Sequence, residues 1–175
     1  MASLSNLKVA AGSLVTFGGV DLGHTVDGAE FEFDREFTEV KVDLYGNTPL
    51  DYVLTGQKVS VKLKLAEVTP GTLSYVLPEA DWDVGSSDDQ VHFGTNAGYS
   101  LRNDALELVI TPQGGNSDGN LTITLFKAVS TEPITLAYKI DEMSVFEVTF
   151  TALVDTSRAA TDGRLLGRFG PATIS

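Results

Sequence analysis

The sequence predicts a mainly β domain: an antiparallel sandwich or barrel-like body with one short flanking helix. Three observations carry this. Several segments alternate apolar and polar residues with period two, most cleanly "KVSVKLKL" at 58–65. β-branched and aromatic residues dominate those segments, and Gly, Asn, Asp and Pro separate them. Only "TPGTLSYVLP" at 69–78 carries helical punctuation. A chain of 175 residues suits one domain, 1–175, and can bury roughly 70% of its extended surface.

The elements follow in order. "SLVTF" at 13–17 is a short apolar strand, after an N-terminal arm of about residues 1–12. "AEFEF" at 29–33 sets Ala29, Phe31 and Phe33 on one face and Glu30 and Glu32 on the other, and "TEVKV" at 38–42 is the next strand. The segment 43–56 then reads as a long loop. A hairpin needs two to five residues there, yet this loop puts Leu50, Tyr52, Val53 and Leu54 between Gly46 and Gly56. Such an apolar centre calls for a surface to pack on, in its own domain or another chain. In 58–65, Val59, Val61, Leu63 and Leu65 face inward, and Ser60, Lys62 and Lys64 outward. The helix has Thr69 as N-cap, Pro70 at its first position, an apolar face of Leu73, Val76 and Leu77, and Pro78 as stop. Residues 79–99 read as an irregular acidic loop. "LELVI" at 106–110, "LTITLFKAV" at 121–129, "ITLAYKI" at 134–140 and "VFEVTFTAL" at 145–153 complete the strands, with "GGNSDG" at 114–119 as a turn. No repeat or low-complexity tract interrupts them.

Charge and composition exclude several classes. The formal net charge of −12 disfavours a nucleic-acid footprint and favours repulsion of polyanions. It is unevenly placed: residues 158–175 hold Arg158, Arg164 and Arg168 against Asp162 alone. This basic C-terminal arm, about 156–175, is expected either to fray or to dock on carboxylates of a neighbouring copy. There is no cysteine, hence no disulfide or thiol chemistry. No apolar run is long enough to span a membrane, and the opening residues show no secretory leader.

No catalytic constellation stands out. His24 and His92 have no partner motif, no nucleophile elbow occurs, and "GGNSDG" precedes no helix that would cradle a phosphate. The acidic run "DWDVGSSDD" at 81–89 offers oxygens to calcium but lacks the EF-hand spacing, so it reads as a solvated loop anchored by Trp82. Carboxylate pairs are too abundant to mark a glycosidase. No catalytic, cofactor or metal residue is therefore assigned.

Residues 42–78, "VDLYGNTPLDYVLTGQKVSVKLKLAEVTPGTLSYVLP", resemble the tail tube proteins of tailed bacteriophages, the major tail protein family. The recurring elements are Asp43, Gly46, Thr48, Pro49 and Asp51, then Gly56, an alternating strand, Glu67, and a short helix ending in Leu77 and Pro78. The upstream Gly-rich hairpin "VTFGGVDLGHTVDGAEFEFDRE" is also similar to the family's opening. The likeness covers roughly residues 15–78 and fades into a plain run of strands afterwards.

The resemblance implies a structural virion protein rather than an enzyme, made in the host cytoplasm, with no cofactor. Its expected partners are its own copies, closed into hexameric rings stacked as a hollow tube; the tape-measure protein during assembly; and the baseplate or tip and neck proteins. DNA passes through without specific binding. On this reading Leu50, Tyr52, Val53 and Leu54, with Arg158, Arg164 and Arg168, contact neighbouring subunits. Alternation nominates Glu30, Glu32 and Asp34, and Glu147, Thr149 and Thr151, for the lumen, with Phe31 and Phe33 in the core. Lys62 and Lys64 would then need neighbouring carboxylates to offset them. Alternative readings are a β-sandwich binding or adhesin module, another virion or pilus-like β protein, or the tube of a contractile injection or secretion system.

Overall fold

The computed structural model describes residues 12–85, 88–94, 96–113, 121–136, 138, 140 and 143–171. The expected arm at 1–12, apart from Gly12, and the turn at 114–119 lie outside the described residues. So do Ala137 and Lys139 of the expected strand 134–140 and the last four residues of the C-terminal arm.

The protein is mainly β, and the described residues form one α-helix and one large antiparallel sheet. Its strands are β1 (Gly12–Phe17), β2 (Val20–Asp21), β3 (Thr25–Val40), β4 (Asp51–Leu65), β5 (Asp81–Val84), β6 (Asp89–His92), β7 (Leu106–Gln113), β8 (Ile123–Ser130), β9 (Thr135–Leu136), β10 (Phe146–Ala152) and β11 (Gly167–Phe169). The helix α1 (Pro70–Val76) separates β4 from β5. The large sheet runs β2-β1-β7-β8-β10-β4-β3, with β11 paired to β8 and β9 to β10. It curls so that β1 comes close to β3 without pairing, which gives the barrel-like shape.

The core fills that curl. Val15 and Phe17 of β1 meet Leu108 and Ile110 of β7 and Val148 and Phe150 of β10, and the Phe17 and Phe150 rings lie 4.9 Å apart. From β4, Val59, Val61, Leu63 and Leu65 are all buried, as the alternation predicts. The helix also matches the sequence: the Thr72 amide donates to the Thr69 hydroxyl at 3.1 Å, Pro70 opens the first turn where no amide hydrogen is needed, and Val76 is buried.

Three local expectations are corrected. The segments 29–33 and 38–42 are not separate strands but parts of the 16-residue β3. Of the expected loop 43–56, only 43–50 is non-strand; Asp51–Gly56 belong to β4 and pair back to β3 from Val40 to Glu36. Leu54, Val53 and Tyr52 are ordinary strand residues facing Phe37, Thr38 and Glu39, so the turn chemistry sits earlier, at the short 3-10 turn Asp43–Tyr45 and at Gly46 with φ 60°. Residues 79–99 are not wholly irregular: β5 and β6 pair with Asp81 opposite His92, and Trp82 leans edge-on against Tyr75 of α1.

Candidate assembly surface

Among the described residues, half of the exposed large apolar side chains belong to one element, the β3–β4 hairpin. Strand β10 supports β4 only from Ser60 to Leu65. Beyond that point β3 and β4 pair with each other alone and run on past the body to the turn at 43–50. Residues directly opposite across two strands share a face, and faces alternate along each strand. The register therefore assigns every side chain of the hairpin.

One face continues the core layer outward. It carries Ala29, Phe31, Phe33, Arg35, Phe37 and Glu39 of β3, opposite Leu63, Val61, Val59, Gln57, Leu54 and Tyr52 of β4. A bulge at Thr55 keeps this phase intact. Near the body the face is buried, since Val59 is only 5% exposed. Farther out it opens: Phe33 is 47% exposed, Phe37 50% and Tyr52 56%. Phe31 and Phe33 are thus not core residues as expected. They point the right way, but the opposing layer covers them only in part. The Arg35 guanidinium lies 5.7 Å from both the Phe33 and the Phe37 ring centroids, which lets its charge sit on aromatic faces. At the turn, Leu44 is 83% exposed and Leu50 59%.

The opposite face is a charge ladder. Lys58, Lys62 and Lys64 form a file on β4, with Asp34 and Glu30 of β3 opposite Lys58 and Lys62, and Glu147 of β10 opposite Lys64. Glu32 reaches diagonally to Lys62 at 3.9 Å. Lys64 Nζ donates to Asp27 Oδ2 at 2.8 Å; this bond, and then the Asp27 charge, raise the Lys64 pKa. Asp27 is aimed there by a bulge in which it and Gly28 take φ of 60° and 77°. The six residues nominated for a lumen, Glu30, Glu32, Asp34, Glu147, Thr149 and Thr151, thus share one face of three adjacent strands, and the lysine file is offset by carboxylates. Thr149 is a correction: it is only 9% exposed, because the chain after β8 folds over that end of the face. Thr131, from that chain, hydrogen-bonds the Thr151 hydroxyl at 2.9 Å.

The C-terminal arm is built into the body rather than extended from it. Asp155 accepts from the Ser157 hydroxyl at 2.7 Å, the Ser157 amide at 3.1 Å and Arg158 Nε at 3.1 Å. The two Ser157 bonds, and then Arg158, hold the Asp155 carboxyl below the usual carboxylate range. Arg158 finds its carboxylate on its own chain and stacks 3.5 Å over the Phe126 ring, where a neighbour's carboxylate was expected. The tight turn Asp155–Arg158 brings the pair together at short range. Arg168 sits on β11 with its guanidinium 5.8 Å from the same ring. Arg164 is exposed and lies beside the hairpin.

Elsewhere no chemistry assembles. In the acidic run Asp83 meets His92 Nε2 at 3.2 Å, but among the described residues no three metal-ligating side chains gather. Among the described residues no helix is long and apolar enough to cross a membrane. The sequence reading missed Phe31, Phe33, Arg35 and Phe37 as exposed residues, along with the turn residues Leu44 and Tyr45. The signal was present: Ala29, Phe31, Phe33 and Phe37 keep one phase of the alternation through 29–39, broken only by Arg35 and Glu39, and 52–54 carries aromatic and aliphatic residues too. No protein-family model matches the chain, and no curated protein matches it.

Proposed function

We propose that this chain is the structural subunit of a phage tail tube, whose copies close into hexameric rings that stack around a genome-delivery channel. The observation that carries this reading is the β3–β4 hairpin, which holds aromatic and aliphatic side chains out in water far from its own core. Exposed apolar patches of this kind mark contact surfaces, since a monomer gains nothing from them. The outer edge of β3 adds support. Across its 16 residues it has no paired strand on that side among the described residues, and an exposed edge is a template for another chain. Pairing that edge with the next copy, repeated around a closed ring, removes it.

The charge ladder suits the channel wall. Three lysines interleaved with carboxylates leave few free cations to hold phosphates, and an acidic surplus keeps DNA toward the axis. The tube would assemble around the tape-measure protein, and baseplate or tip and neck proteins would join it at its two ends. Electron microscopy and native mass spectrometry of the purified protein test the reading. Six-copy rings or tubes of uniform width are expected. A species that stays monomeric at high concentration in every salt tried overturns it.

A further inference from the structure

A groove runs between the hairpin base and the C-terminal segment, and it differs from the rest of this acidic molecule. Its floor and walls are Phe31, Phe33, Val59, Leu125, Leu166 and Phe169, enclosing about 260 Å³, and among the described side chains it contains Arg164 and Arg168 but no carboxylate. A second hollow of about 280 Å³ continues it along Leu54, Gly56 and Val154, sharing Gln57, Leu165 and Leu166, again without a carboxylate among the described side chains. Phe169 is 65% exposed at its rim. Carboxylates outnumber lysines and arginines two to one in the chain, 24 to 12, so an apolar groove whose charged residues, among the described side chains, are both arginines is a distinct feature.

The hairpin turn has the opposite character. Leu44, Tyr45, Leu50 and Tyr52 are each more than half exposed, and between Val42 and Val53 the charged residues are Asp43 and Asp51 only. It is an apolar knob carrying two carboxylates. It cannot fold back into the groove of its own chain. From Phe33 the strand runs on to Val40 at roughly 3.3 Å per residue, so the turn stands on the order of 20 Å from the part of the groove between Phe33 and Phe169.

We infer that the 43–52 knob of one copy seats in the groove between Phe33 and Phe169 of a second copy, with Asp51 meeting Arg164. This rests on the tube reading and deepens it by naming the two patches that meet. The contact is heterologous, one patch fitting a different patch, so the first copy keeps a free groove and the second a free knob, and the association propagates. Burying an aromatic–aliphatic knob supplies the attraction, and the arginine–carboxylate pair fixes the orientation.

The absence of cysteine makes the test direct. Leu50→Cys and Phe169→Cys are prepared as separate chains; both positions are exposed, so folding is preserved. Mixed and oxidised, the two chains should give a disulfide-linked dimer within minutes, at a yield at least tenfold above either chain alone. A charge exchange gives the second readout. Arg164→Glu and Asp51→Arg should each raise the concentration needed for assembly about tenfold or more, and the doubly exchanged chain should recover most of it. Wild-type assembly with no preferential Leu50–Phe169 cross-link, or with no recovery in the double exchange, overturns the knob-and-groove contact and leaves the tube reading standing. A wild-type chain that never assembles overturns both.

Discussion

The two ends of β4 share one strand, one pairing partner and one alternation, yet they live in different surroundings. At its C-terminal end Val59, Val61, Leu63 and Leu65 are buried, with Leu65 fully so. At its N-terminal end Tyr52, Val53 and Leu54 are each close to half exposed. The cause is what lies across and beside the strand. Near Leu65 the strand is flanked by β10 and covered by β1 and β7; near Asp51 it has β3 alone. Apolar residues at the first end stabilise the fold. Those at the second are available for another surface, and a substitution at each end should fail in a different way.

The largest effect belongs to the buried end. Phe150, on β10 opposite Val61, is fully buried and packs on Phe17. Phe150→Ala should cost about 3–5 kcal/mol of unfolding free energy from the lost transfer and the cavity. For a chain of this size that is a drop of roughly 10 °C in Tm. Calorimetry or denaturant titration reads it. A loss under about 1 kcal/mol would mean that the curled sheet tolerates a gap, and the division between the two ends would lose its basis.

The exposed end should respond in the other order. Leu50→Ser with Leu54→Ser should leave the monomer's melting within about 2 °C, since half-exposed side chains lose little burial. Assembly, followed by light scattering, should weaken about tenfold or more. If melting falls first and assembly follows it, these leucines belong to the fold, and the comparison is broken.

The two faces of the hairpin can be separated in the same way. Glu30→Lys, Glu32→Lys and Glu147→Lys together replace three negative charges by three positive ones beside the lysine file. Folding should change little, because these side chains are exposed. Assembled tubes should now retain DNA, in a salt-dependent manner. Tubes that bind none and deliver DNA at the original rate would place this face outside the channel.

Much of the fold was legible because alternation reports which way a side chain points. It gave the inward set Val59, Val61, Leu63 and Leu65 and the polar set Glu30, Glu32 and Lys62 correctly. What alternation does not report is whether a second layer covers the face it points to. Phe31 and Phe33 point inward along a strand that outruns the body, and so were read as core. Likewise Gly46 and Gly56 look alike as loop boundaries. Gly46 takes the positive φ of a turn, whereas Gly56 is a strand residue paired with Glu36. The Arg158–Asp155 pair was missed for another reason: the sequence shows a net charge in the tail but neither the local turn that pairs Arg158 with Asp155 nor the Phe126 ring, about thirty residues upstream, over which Arg158 stacks.

The smallest expected effect lies at the boundary between the two ends, where the C-terminal segment passes beneath the hairpin. The Asp155 amide donates to the Leu165 carbonyl at 3.0 Å, and the Leu166 carbonyl accepts from the Phe126 amide at 3.1 Å, so Asp155 helps fix the wall that Leu165 and Leu166 present to the hairpin. Its carboxyl is held below its ordinary value by Ser157 and then Arg158. A folded-state pKa below the unfolded one means that ionised Asp155 favours folding at neutral pH. That contribution is present above the unfolded value of 3.8 and disappears as pH falls through the folded value. Asp155→Asn keeps the shape and most of the Ser157 contacts but removes the charge. The variant should melt slightly lower than the parent at pH 7, and the gap should close as pH falls below 3.8 and through the folded-state value, where the parent's carboxyl takes up its proton. Thermal melts across pH 2.5–7 read both limbs. A gap that is constant over the whole range would show that Asp155 acts through shape alone, and that the wall of the groove owes nothing to its charge.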